Sequence, residues 1–207
     1  MSEARRTKAG QPTKGARTRE AIMAAAIELF REQGFRETSL ADIGAAAGVS
    51  GPAIYRYFNS KGELLSVLIE EAALLWRGTV DAVLNESAPP VVTLERLIDA
   101  AVELQLRNGN LRDVFVQSYR SLDEDARRRV TRIERVRTAE WSHVLREVRP
   151  GLTDDEARAA VHMVDGMLRS ITTLSMDRET LARVMKDMVF GGLLSVGIER
   201  SAADRPA

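Results

Sequence analysis

The chain has 207 residues, 44% of them hydrophobic, and its 30 basic and 30 acidic side chains cancel to a net charge of +0. That is ample material for one core of moderate size, or for a small domain beside a larger one. The absence of cysteine excludes disulfides, thiolate chemistry and cysteine-ligated zinc, and no apolar run nears the roughly 20 residues that span a bilayer. The basic N-terminus lacks the apolar stretch of a secretory signal, so a cytoplasmic protein with no membrane partner is expected.

Along the chain, the charge is unevenly spread. Arg5, Arg6, Lys8, Lys14, Arg17 and Arg19 lie in a stretch from 5 to 19 without a single acid. Residues 1–16 read as a flexible basic arm: either a solvated tail or, beside a DNA-binding head, an arm for phosphates or a minor groove. The first predicted helix has Thr18 as its cap, a stripe of Ile22, Ala25, Ala26, Leu29 and Phe30, and Gly34 as its end. Thr38 and Ser39 then offer caps to a second helix with Leu40, Ile43 and Ala47 on one face. Gly48 suits the left-handed backbone of a C-terminal cap, and Val49 is expected to be a buried turn residue. Ser50 caps a third helix with Pro52 in its first turn, Ile54 and Phe58 facing inward, and Gly51, Pro52, Ala53, Tyr55, Arg56 and Tyr57 at its front or outer face. Three helices with the last two in a helix-turn-helix make a DNA-binding head over residues 17–62.

The remainder, residues 63–200, reads as helical throughout, with a disordered tail over 201–207. Ser60 and Glu63 form a capping box for a long helix through Trp76 to about Leu84. After Pro89 and Pro90, Thr93 starts a helix bearing Leu94, Leu97, Ile98, Ala101, Val102 and Leu106, which Asn108-Gly109-Asn110 ends. A short helix from Leu111 to about Tyr119 follows. Asp123 opens a long one with Ala126, Val130, Ile133, Val136, Trp141, Val144, Leu145 and Val148 facing in. Thr153 and Glu156 repeat the capping box before Ala157, Ala160, Val161, Val164, Leu168 and Ile171. A last helix spans about 178 to 198. The fold class is all-α. The last two helices are apolar beyond one narrow face, with Met163, Met167, Met185 and Met188 beside Gly191 and Gly192, which suits either ordinary core or a second packing surface.

The order TREAIMAAAIELFREQGF, TSLADIGAAAGVSGPAIYRYF and SKGELL resembles the N-terminal domain of TetR-type (tetracycline-repressor-like) transcriptional regulators, over about the first third of the chain. The chain departs from that pattern at Gly44, where the family usually carries alanine, and in having few strong base-reading side chains at the start of the recognition helix. The resemblance implies a repressor that dimerises through its last two helices. Two recognition helices would then lie about 34–36 Å apart on a palindromic double-stranded operator. It also implies a small-molecule effector, here hydrophobic or acyl-coenzyme A-like, enclosed by the middle helices. An activator, or an architectural DNA binder without a pocket, is the alternative.

Carried onto matching positions, the resemblance gives Thr38, Ser50, Tyr57 and Lys61 for the phosphates, and Ser39 is counted among the DNA-binding residues beside them. Gly51, Pro52, Ala53, Tyr55 and Arg56 face bases. Because Gly51, Pro52 and Ala53 offer no side-chain hydrogen bonds, direct readout leans on Tyr55, apolar contact with thymine methyls and DNA shape. Each residue also has a duller role: Thr38 and Ser50 as caps, Tyr57 as packing, Lys61 as a solvated charge. For the effector, Leu104, Phe115, Tyr119, Trp141, Leu145, Met163 and Met167 are candidate lining, with Gln117, Arg120 and Thr172 as polar handles; plain core is their other reading. The run Arg127, Arg128, Arg129, Arg132, Arg135 and Arg137 is a solvated face or a surface for a phosphate-bearing ligand. No cofactor is expected. His143 and His162 have no partner at metal-ligand or triad spacing, so catalysis is not expected either.

Overall fold

The computed structural model describes residues 13–170 and 175–196. Among these the chain forms eight α-helices and no strand: α1 (Lys14–Gln33), α2 (Leu40–Ala46), α3 (Gly51–Ile54), α4 (Lys61–Leu84), α5 (Pro90–Ser118), α6 (Glu124–Val148), α7 (Asp154–Ser170) and α8 (Arg178–Ser195). The chain divides into two compact units between Leu68 and Ile69, six residues beyond the boundary expected from the sequence. The proposed tail at 201–207 and most of the basic arm lie outside the described residues.

In the first unit α1 begins before the predicted cap. Thr13 Oγ accepts from the Ala16 amide at 3.2 Å, whereas the Thr18 hydroxyl donates to the Lys14 carbonyl one turn back. Residues 14–16, placed in the arm by sequence, are therefore helical, because Thr13 supplies the same capping oxygen five residues earlier and nothing between them breaks the helix. Ile22, Ala26 and Phe30 are buried, and they meet Leu40, Ile43, Ile54 and Phe58 in one small core. Ser39 and Asp42 form a reciprocal capping box at the start of α2, a role for which the spacing S-x-x-D has the right chemistry.

The α2–α3 turn depends on two glycines. Gly48 has φ +67°, a conformation in which any side chain is strained. Gly44 is buried where a Cβ would stand 3.3 Å from the Val49 carbonyl oxygen and 3.4 Å from Ile54 Cδ1. The departure from alanine at Gly44 thus coincides with a close crossing of α2 by the start of α3. Val49 is half-buried rather than buried, with its amide on the Gly44 carbonyl at 2.8 Å.

In the second unit α5 packs against α6, α7 and α8. Leu94, Leu97, Ile98 and Val102 of α5 share a core with Trp141, Val144 and Leu145 of α6, Val161 and Val164 of α7, and Met185 and Val189 of α8. α5 starts at Pro90, three residues before the predicted start, since proline's fixed φ already suits a first helical turn. The predicted break at Asn108 is present as a kink inside one helix, with φ −126° and ψ 25°. The Asn108 side-chain amide donates to the Leu104 carbonyl at 3.2 Å, occupying an acceptor near the break.

α6 begins at its predicted cap, where Asp123 accepts from the Ala126 amide at 2.7 Å. Its inward stripe differs from the expected one. Val136 is exposed and Ile133 half-buried, while Arg137 is only 5% exposed. Counting by helical turns from Ala126 and Val130, position 137 falls on the buried face and 136 off it, so the arginine goes in because carboxylates await it there. α7 opens on the predicted Thr153–Glu156 box, and α8 on Asp177, which accepts from the Thr180 amide at 2.9 Å.

Candidate DNA-binding surface and effector cavity

α3 is a short helix held by two apolar anchors. Ile54 is fully buried and Phe58 is 2% exposed, and helical-turn hydrogen bonds from Arg56, Tyr57 and Phe58 carry the chain past its end. Everything between those anchors is turned outward. Ser50, Gly51, Pro52 and Arg56 are exposed, Tyr55 is 56% exposed, and Ala53 and Tyr57 are half-buried. Ser50 sits at the N-cap position, yet its side chain makes no capping bond, so its hydroxyl is not engaged as a cap.

Other backbone-contact candidates are engaged within the fold. Thr38 is 1% exposed, and its hydroxyl faces the Gly34 and Leu29 carbonyls at 2.9 and 3.3 Å. Neither the phosphate role nor the cap role expected for its side chain fits that burial. Ser39 spends its hydroxyl on the Asp42 box. The Lys61 ammonium donates to the carbonyls of Phe35, Arg36 and Thr38 at 2.6, 3.1 and 2.6 Å and lies 4.5 Å from the Phe35 ring centre. It closes the α1–α2 connection from the start of α4, so it is not simply a solvated charge. An ammonium with three donors and no acceptor is suited to collecting three carbonyls.

In the second unit α5, α6 and α7 line a half-open cavity of about 780 Å³. Arg112, Phe115, Val116 and Tyr119 form one side; Glu134 and Thr138 of α6 and His162, Asp165 and Arg169 of α7 contribute to the others. Of the nine effector candidates among the described residues, only Phe115 and Tyr119 line this space. Leu104 and Trp141 border a far tighter space of about 30 Å³ beside Trp76. Leu145 is fully buried in the core, and Met167 packs against it. Gln117, Arg120 and Met163 are exposed away from the cavity, and Thr172 lies outside the described residues.

The residues that sequence reasoning missed are charged. Asp165 Oδ2 accepts from Arg137 at 2.8 Å, and its Oδ1 lies 3.3 Å from Arg112; Arg137 also pairs with Glu134 at 2.8 Å. Arg112 lies over the Trp76 ring at 4.5 Å. Burial works to raise the Asp165 carboxyl, but Arg137 and Arg112 outweigh it and hold it below the ordinary carboxylate range. Burial lowers Arg112 below the usual arginine value, against the pull of Asp165. Burial opposes Arg137 as well, yet Asp165 and Glu134 prevail and raise it. The remaining arginines of that run, Arg127, Arg128, Arg129, Arg132 and Arg135, are exposed, as a solvated face requires; Arg129 reaches Glu70, Arg128 pairs with Glu124, and Arg127 donates to the Leu122 carbonyl.

These two sites meet a match in known proteins. Residues 22–68 fit the family model of bacterial regulatory proteins of the tetR family, and residues 89–206 fit that of the tetracyclin repressor-like C-terminal domain. The chain belongs to the TetR family of DNA-binding transcriptional regulators. The regulator CymR of Pseudomonas putida is 30% identical over 191 residues, 89% of this chain and 92% of CymR. The repressor BepR of Brucella suis is 37% identical over 112 residues, spanning 54% of this chain and about half, 52%, of BepR.

Solved structures share the fold. A TetR-family regulator from Bordetella parapertussis superposes with a TM-score of 0.75 at 21% identity, over 91% of this chain and 98% of its own. AibR, solved in complex with isovaleryl coenzyme A and operator DNA, does so with a TM-score of 0.72 at 18% identity, over 84% and 98%. Among the described residues no helix is long and apolar enough to cross a membrane, and no group of side chains has the makings of a metal site.

Proposed function

We propose that this TetR-family regulator is a repressor that binds a near-palindromic operator as a homodimer and is released when a small molecule fills the cavity between α5, α6 and α7. The observation that carries the DNA half is the outward end of α3. Ile54 and Phe58 fix it, Ser50 leaves its hydroxyl uncommitted as a cap, and Gly51, Pro52 and Tyr55 present a narrow, mostly apolar tip. Ser50 and Tyr57 are the phosphate contacts of this reading and Tyr55 its main base reader, with Arg56 beside it.

Pairing through α7 and α8 is supported by Met163 and Met188, which are 69% and 57% exposed, and by the outward Gly191 and Gly192, where close helix approach is open. The cavity favours an effector-responsive regulator over an architectural DNA binder, and AibR supplies a precedent of the same fold holding a small molecule and operator together. The place of action is the cytoplasm, where such an operator lies. Gel-shift titration of the full chain on the DNA upstream of its own gene tests this. A single shifted complex with a footprint of two half-sites one helical turn apart is expected, and binding no tighter than to scrambled DNA would overturn it.

A further inference from the structure

The cavity is unevenly charged. Four arginines (Arg112, Arg135, Arg158 and Arg169) and His162 line it against two carboxylates, Glu134 and Asp165. Arg137, buried behind them, draws most on those carboxylates, with one contact of 2.8 Å to each. Arg112 is left with a single 3.3 Å contact to Asp165, the face of Trp76, and an Nε–H that finds no acceptor among the described residues. A guanidinium carries five N–H donors, and a buried one needs close, well-directed acceptors to offset its lost hydration. At 7% exposure Arg112 lacks them. Immediately beside it the wall is aromatic: Trp76 meets Phe115 edge-on at 5.2 Å, and Phe115 stacks on Tyr119 at 5.8 Å.

Resting on the effector reading above, we propose that the cavity takes a small organic anion whose acid group binds Arg112 alongside Asp165, while its apolar body lies along Phe115 and Tyr119. The acid group supplies the second acceptor that Arg112 lacks, and Asp165 keeps its 2.8 Å contact to Arg137. Arg112 is then the residue through which occupancy is felt at Trp76 of α4, which it already touches. A carboxylate or a phosphate satisfies this chemistry, since both accept from a guanidinium in the same fork.

The test compares each acid with its uncharged isostere on the intact wild-type chain: benzoate with benzamide, and octanoate with octanamide. Benzoyl- and octanoyl-coenzyme A form a second arm. Binding is read from indole fluorescence, because the chain's two tryptophans are Trp76, against Arg112, and Trp141, beside it, and from the melting temperature. At least one acid is expected to bind about tenfold or more tightly than its amide, the worth of one charge-assisted hydrogen bond. Arg112→Gln should erase that difference.

Should Arg112→Gln fail to fold, the wild-type comparison of acid with amide still decides. Thioesters that bind where free acids do not, and lose binding in Arg112→Gln, assign the anion to phosphate; the opposite pattern assigns it to carboxylate. Amides that bind as well as their acids would overturn the anion assignment while leaving an effector cavity. No response to any of these anions at millimolar concentration would overturn it too, and gel-shift binding that persisted in that case would leave the DNA-binding reading intact.

Discussion

Asp165→Asn is the sharpest probe of the second unit. Asp165 is a carboxylate shared by Arg112 and Arg137, and the three side chains are 12%, 8% and 7% exposed. Asparagine keeps the shape and one acceptor oxygen but removes the charge. Arg137 retains Glu134 at 2.8 Å, whereas Arg112 loses its only ion-pair partner among the described residues and keeps the Trp76 face. Breaking a buried pair from one side costs about 3–5 kcal/mol; the surviving Glu134 contact puts the expectation at the lower end, about 3 kcal/mol. For a chain of this size that corresponds to a melting temperature lower by roughly 6–12 °C.

Urea denaturation at fixed protein concentration, followed by tryptophan fluorescence, measures it. The pH dependence gives a second handle. A carboxyl held below its ordinary value stabilises the fold above its unfolded pKa, about 4, and the contribution is lost as pH falls through the still lower folded value. The gap between wild type and variant should therefore be full at neutral pH and shrink only below about pH 4. Adding Arg112→Met to Asp165→Asn should recover part of the loss by removing the orphaned cation. A single-variant loss under about 1 kcal/mol, the scale of an exposed pair, or a gap unchanged in acid, would refute the reasoning.

Four further outcomes are expected. Lys61→Met should cost about 2 kcal/mol through the loss of its charged bonds to three carbonyls, while leaving the salt slope of operator binding unchanged; a slope shallower by about 1.8, one phosphate for each protomer, would instead place Lys61 on a phosphate. Tyr55→Ala should lower the preference for operator over scrambled DNA by about tenfold with stability altered by less than about 0.5 kcal/mol, given its exposure. Removing Arg5 and Arg6 should weaken binding to both DNAs alike, and competition gel shifts separate the two effects. Met163→Glu with Met188→Glu should shift sedentation from dimer toward monomer with unchanged helical circular dichroism; a dimer that persisted would move the pairing face elsewhere.

Helices and caps were legible in the sequence because each is a local event. The Thr153–Glu156 box and the Asp123 cap involve only side chains within one turn, so the spacing states the geometry. The start of α1 was less so, since Thr13 and Thr18 carry the same capping oxygen and only the fold chooses between them. The outward tip of α3 followed from its two anchors, four residues apart. Lys61 did not, because its acceptors are backbone carbonyls 23 to 26 residues away, which no side-chain pattern records.

The effector candidates drifted for a different reason. An apolar stripe marks the packed interior, so Leu145 and Trp141 went there, while the cavity is walled by charges that pair across α5, α6 and α7. The usable signal was a charged residue standing on a stripe position, as Arg137 does in α6. Arg112 and Asp165 stand likewise on buried faces of their helices.

The bend at Asn108 has a mechanical consequence. Leu94 to Val102 lie before it, bedded with Met185 and Val189 of α8, and Arg112 and Phe115 come after it in the cavity wall. An unbroken rod would transmit any tilt of the wall straight into the face proposed for pairing. With Asn108 off the helical φ/ψ and its amide on the Leu104 carbonyl, α5 consists of two segments joined at one bend. Under the proposed reading, a wall that adjusts to an occupant beyond the bend would leave the α8 side seated, and the proposed pairing of two protomers would survive filling and emptying.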